Sequence, residues 1–251
     1  LQLKLKVHGA GSTLDGLGAR RIFRVQSGGS LELRNITLTR GSAHAGGCVF
    51  AAEDSKFVAV DTVFDHCAST LGGAVAGYTG SEIFFRGRSL VANSTASHGG
   101  AVFGENFATI VLENHTTIAS CSARTDGGGV FVYYGGSVVL RDRAKVTGCH
   151  TEYDGDGFFA TRADSRGGGV YADRGASVIV EGEAVVADCS ADIGGGVFVD
   201  DGGSVVLRGR AVVTTCRADS DGGGLFADGL ASVIVEGEAA VADCSAGKNG
   251  G

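Results

Sequence analysis

The sequence has no proline, no tryptophan and no methionine, and only five of its 21 basic residues are lysine. Without proline, and without a strict three-residue glycine period, it cannot wind into a collagen helix. Hydrophobic residues make up 43 % of the chain, too many for a linker or a disordered segment. Positive charge is short as well: the formal net charge is −7, which speaks against the basic face a nucleic-acid binder needs for counterion release. No apolar run approaches the roughly 18 residues of a membrane helix. A chain without methionine is read as a processed product or a piece of something longer, with any signal peptide gone.

What the chain has in excess is glycine, 44 of 251 residues, and the glycines fall in blocks. A Gly-Gly-(small)-(aliphatic) block recurs with its third position at 48, 74, 101, 129, 169, 196 and 224. A second motif, an aliphatic or aromatic residue three positions before Cys or Asn, ends at Cys67, Asn93, Cys121, Cys149, Cys189, Cys216 and Cys244. Two independent markers share one period of 26–28 residues, broken once by a step of 40. Each period holds three short apolar runs, such as Gly196–Asp200, Ser204–Leu207 and Ala211–Thr215, bounded by Gly and Asp. No stretch has a helical period with caps. Hairpins would reverse alternate repeats, whereas a three-stranded coil stacked on itself keeps every repeat equivalent. The expected fold is all-β: a single-stranded parallel β-helix of 8–9 rungs, with three strands per rung. Residues 1–29 would supply the first coil and residues 30–251 the repeats, with an insertion loop over residues 150–166.

The paired motifs resemble the GGA(I/V) and FxxN repeats of chlamydial polymorphic outer-membrane proteins, with Cys replacing Asn in six of seven units. The run Thr13-Leu14-Asp15-Gly16-Leu17-Gly18, followed by Arg21-Ile22-Phe23-Arg24-Val25, is similar to the first coil of pectate-lyase-like β-helices. The resemblance implies a right-handed coil. It leaves function open, because that fold carries adhesins, autotransporter passengers, lyases, hydrolases and epimerases.

Stacking the repeats predicts several columns. One turn reads Arg34, Asp61, Arg86, Glu113, Arg141, Glu181, Arg208 and Glu236, alternating in sign. Alternation gives each side chain opposite neighbours above and below and helps fix register. The Cys column, with Asn93 filling one rung as an internal residue, admits buried free thiols, inter-rung disulfides or a soft metal site. Free thiols are preferred, since a column cannot converge four ligands on one zinc ion. Phe50, Phe103, Phe131, Tyr171, Phe198 and Phe226 form an aromatic column, broken by Ala76 and read as core stacking. An outward column reads Glu32, Ala59, Phe84, Val111, Val139, Ile179, Val206 and Ile234. Seven of these eight are apolar, where a solvated face should carry polar residues, so a partner is expected to cover them.

Signals for chemistry are weaker. Asp173, Asp200, Asp201, Asp219, Asp221 and Asp228 could line a polysaccharide groove, but no catalytic signature accompanies them and the six histidines do not gather in one column. Asp154 and Asp156 in the insertion look like half of a calcium loop. Sequons begin at Asn35, Asn93 and Asn114, and Asn35 and Asn114 fall in the charged turn where a glycan could attach. No cofactor is expected. The preferred reading is a non-enzymatic extracellular or cell-surface structural or adhesive module. Its partner would be a protein, including a further copy of itself, or an extracellular glycan, with no nucleic acid and no membrane span in this segment. The alternative is a carbohydrate-active β-helix enzyme. The chain ends on a Gly-Gly block with no strand after it, so further rungs, a cap or a stacked copy are expected there.

Overall fold

A computed structural model describes residues 3–152 and 165–250. The described elements are strands only, and every strand pair is parallel, each strand pairing with its counterpart one coil away. The result is a β-solenoid of about nine turns, with three sheets of sixteen, eight and eight strands. The chain opens with β1 (Lys4–Asp15), β2 (Phe23–Val25) and β3 (Ser30–Thr39). β1 lies along β3, and β3 runs unbroken through two walls that every later coil splits into separate strands. That is why two walls count as one sheet. The segment after each ladder position, outside the three expected runs, is itself a strand in this structure, as at Arg217–Asp221.

The two motifs share a period because their backbones touch. In each block the first glycine is left-handed, with φ between 59° and 67°. The second has no room for a side chain. A Cβ on Gly195 would lie 2.2 Å from the Arg217 carbonyl oxygen, and one on Gly128 would lie 2.3 Å from that of His150. The position after each ladder residue is therefore packed main chain against main chain across the coil. At the third position, Cβ atoms on Gly169 and Gly196 would fall 3.2 Å from the Cys189 and Cys216 sulfurs respectively. Glycine there makes space for a thiol.

Each ladder thiol donates to the carbonyl two residues earlier: Cys189 to Ala187 (3.1 Å), Cys216 to Thr214 (3.3 Å) and Cys121 to Ala119 (3.4 Å). These carbonyls already accept a backbone N–H from the preceding coil, so the second bond gives the buried thiol a partner. Cys121, Cys149, Cys189, Cys216 and Cys244 are free. The hydrogen bond to the Cys149 sulfur, together with burial, holds the Cys121 and Cys189 thiols well above the ordinary cysteine range. Cys67 differs: it is bonded to Cys48, within its own coil rather than to the next rung.

The Asn93 assignment is corrected by one position. Val91 pairs with Phe64 and Ile118, which places Ser94 in the cysteine column. Ser94 is fully buried, and its hydroxyl donates to Ala92 at 3.1 Å, the bond the thiols make. Asn93 is exposed in the preceding left-handed slot (φ 51°), which His66, Ser120, Gly148, Asp188, Thr215 and Asp243 fill in other coils.

Candidate interaction face

The strands Glu82–Arg86, Thr109–Leu112, Ser137–Leu140, Ser177–Val180, Ser204–Leu207 and Ser232–Val235 stack in register. Period-two alternation decides what each side chain does. Val138, Leu140, Val178, Val180 and Leu207 are buried inside. The outer surface then carries three parallel columns. Phe84, Val111, Val139, Ile179, Val206 and Ile234 form the middle one, partnered rung by rung. To one side stand Glu82, Thr109 and four serines. To the other stand Arg86, Glu113, Arg141, Glu181, Arg208 and Glu236.

The charged column forms real pairs. Glu113 is buried between Arg86 and Arg141, with the Arg141 Nε donating to Oε2 at 2.9 Å. That hydrogen bond, offset in part by desolvation, raises the Arg141 guanidinium above its ordinary value. Arg208 donates through Nε to Glu181 at 2.8 Å. Two residues further on, Glu183 lies between Arg143, at 2.8 Å, and Arg210. Its hydrogen bond to Arg143 comes first among the causes holding the Glu183 carboxyl below the usual range.

Two columns lose a member. Val60 pairs with both Arg34 and Arg86, so Val60, not Asp61, fills that rung. Asp61 takes the next, left-handed slot (φ 49°), and its carboxylate accepts from the Arg88 amide at 2.8 Å. Unbroken alternation therefore runs over six rungs, from Arg86 to Glu236. Arg34 pairs instead with Glu32 on its own strand, and Lys6 reaches Glu32 at 3.2 Å. In the apolar column the rung assigned to Ala59 belongs to Val58, which pairs with Glu32 and Phe84. Ala59 points inward and is fully buried.

No family model, curated protein or solved structure matches this chain.

The aromatic column is buried, but not in the interior. Val49, Val75, Val102 and Val130 fill the inside of that sheet, whereas Phe50, Phe103, Phe131, Tyr171 and Phe198 form a second hydrophobic cluster with Ala45. Tyr171 stacks on Phe131 and on Phe198 at 4.9 Å each, and Phe198 on Phe226 at 5.2 Å. Arg166 enters this cluster, donating to the Tyr171 hydroxyl at 3.1 Å and lying 3.7 Å from Asp200. Two residues past the rings, Glu105, Tyr133 and Asp173 share one column, which Asp200 continues. Burial raises the Glu105 and Asp173 carboxyls. Nothing in the sequence marked Arg166 or Tyr133.

Asn35 and Asn114 are exposed in the left-handed turn, at φ 48° and 60°. Asn114 donates through Nδ2 to Asp142 at 3.2 Å. Asp154 and Asp156, the calcium expectation, lie outside the described residues. Among the described residues no group of three or more His, Cys, Asp or Glu side chains is placed to hold a metal ion. No helix among them is long and apolar enough to cross a membrane.

Proposed function

We propose that this chain is an extracellular structural or adhesive module, a rod that works by presenting a long flat face to a partner. The observation that carries the reading is the apolar column from Phe84 to Ile234, held in register between a hydroxyl column and a charged one. Lys56 and Arg86 lie over the Phe84 ring and Val111 is buried beside it. But Val139, Ile179, Val206 and Ile234 continue the column outside, where folding alone does not call for apolar side chains. The likeness of its motifs to chlamydial surface-protein repeats supports a surface location, where Asn35 and Asn114 would be open to glycosylation in a eukaryotic secretory host. The test is the double variant Val139→Lys/Val206→Lys, compared with wild type on glycan arrays and cell surfaces. Loss of binding or assembly with an unchanged melting temperature is the expected result. Unchanged binding and assembly by a folded variant would sink the reading.

A carbohydrate-active enzyme is the second reading. It is favoured by Glu105, Asp173 and Asp200 beside stacked rings on neighbouring coils. Polysaccharide cleavage that Asp173→Asn and Asp200→Asn abolish would establish it.

A further inference from the structure

The alternation that pairs the charged column internally also makes it complementary to its own reverse. Read upward it runs Arg86, Glu113, Arg141, Glu181, Arg208, Glu236, and read downward it gives the opposite sign at every step. We propose that the partner of this face is a second copy of the chain, related by a two-fold axis perpendicular to the solenoid and passing between adjacent rungs. The proposal rests on the reading that this face is the interaction surface.

Such an axis lays each column over itself with the solenoids antiparallel. Any axis between two rungs sets Arg against Glu, and the one between Arg141 and Glu181 engages all six rungs. Arg141 then faces Glu181 of the second copy, Arg208 faces its Glu113 and Arg86 faces its Glu236. Val139 sits over Ile179 of the second copy, Ser137 over its Ser177, Ser204 over its Thr109 and Ser232 over its Glu82. The alternatives are worse matched. An axis through a rung opposes like charges, and an axis along the solenoid sets the charged column against the hydroxyl column. Isologous pairing of this kind is the commonest oligomeric arrangement.

Six rungs about 4.8 Å apart and five residues about 3.3 Å apart give a face of roughly 29 by 17 Å per copy. That is smaller than the roughly 800 Å² per partner of a standard interface, so the pair forms weakly and reversibly. Apart from the buried Glu113 its charges are solvent-accessible, so salt weakens it.

Sedimentation velocity from roughly 10 µM to 1 mM, in low and high salt, reads the pairing directly. Wild type is expected to form a dimer that high salt dissociates. Glu181→Arg/Arg208→Glu/Glu236→Arg keeps unlike neighbours within each half of the column but makes every pair across the axis alike. Its association should fall about 100-fold or more, since like charges facing each other cost several kcal/mol. Arg141→Glu/Glu181→Arg does the reverse: it disturbs the internal ladder and keeps unlike pairs across the axis, so it should dimerise within a few-fold of wild type. The proposal is overturned by a monomeric wild type, by a triple variant that dimerises like wild type, or by a double variant that dissociates while folded. Should the triple variant misfold, the double variant and the salt dependence decide. A monomeric wild type whose surface binding is lost in Val139→Lys/Val206→Lys would sink self-pairing and leave the interaction face standing.

Discussion

Cys48 and Cys67 are bonded across the interior of one coil, with their Cα atoms 5.8 Å apart. The same two positions recur in each later coil, where Ala or Gly faces a thiol or the Ser94 hydroxyl. The bond therefore reports a distance built into every turn.

Cys48→Ala should lower the unfolding free energy by about 2–4 kcal/mol, the usual worth of a disulfide. Conversely, Ala101→Cys should form a new disulfide with Cys121 when oxidised by glutathione disulfide, because position 101 already carries a Cβ. Mass spectrometry would show two hydrogens lost. Gly196→Cys should fail, since its Cβ would lie 2.4 Å from the Gly224 carbonyl oxygen.

Gly195→Ala should destabilise the fold by about 3 kcal/mol, because overpacking here meets a carbonyl that cannot move aside. Gly202→Ala is the control. Nothing lies within 4 Å of its added Cβ, so only the left-handed backbone (φ 75°) opposes it, at about 1 kcal/mol. Chemical denaturation of both variants checks the ordering.

Phe107 stands at φ 64° with 73 % of its surface exposed, in a slot that Gly80, Gly135, Gly175 and Gly202 fill in other coils. Phe107→Gly should raise stability by about 0.5–1 kcal/mol, the relief of left-handed strain less the entropy of glycine. A lower melting temperature would show that the ring's packing over Gly135 outweighs the strain.

Burial raises the Glu105 carboxyl above 4.5. The fold thus favours its protonated form, and that contribution is present below pH 4.5 and lost as pH rises through the raised value. Glu105→Gln has no such loss. Its melting temperature relative to wild type should climb between pH 4 and pH 7, and a flat difference would refute the assignment.

The period, the parallel stacking and the apolar face were legible because each depends on residue type at fixed spacing. The slips at Asp61 and Asn93 share one cause. Both were matched by side-chain chemistry, a charge to a charge and an Asn to an FxxN motif. Both residues are instead placed by the backbone, since Asp and Asn tolerate the left-handed slot beside the column. The aromatic column was harder. Val and Phe alternate there, so both faces of the strand are apolar and periodicity cannot tell inside from outside. Only the end of the neighbouring sheet, with Ala45, Leu71 and Ile193, reveals that an outer face is covered. Arg166 stands directly before a Gly-Gly block, in register with Asp126 and Ile193, but that column mixes His, Asp, Arg and Ile, so residue type shows no pattern there.

A solenoid whose strands bond only to the coils before and after has a mechanical consequence. Pulled from its ends, it can come apart one turn at a time, because breaking a rung leaves the next intact. Each turn would release about 90 Å of chain, from roughly 27 residues at about 3.4 Å each. The turn closed by Cys48 and Cys67 would yield less, since the 18 residues between them stay looped until the bond is reduced. A force–extension trace should therefore show regular steps with one long step, from the 40-residue repeat, and one short step that a reductant restores to full length.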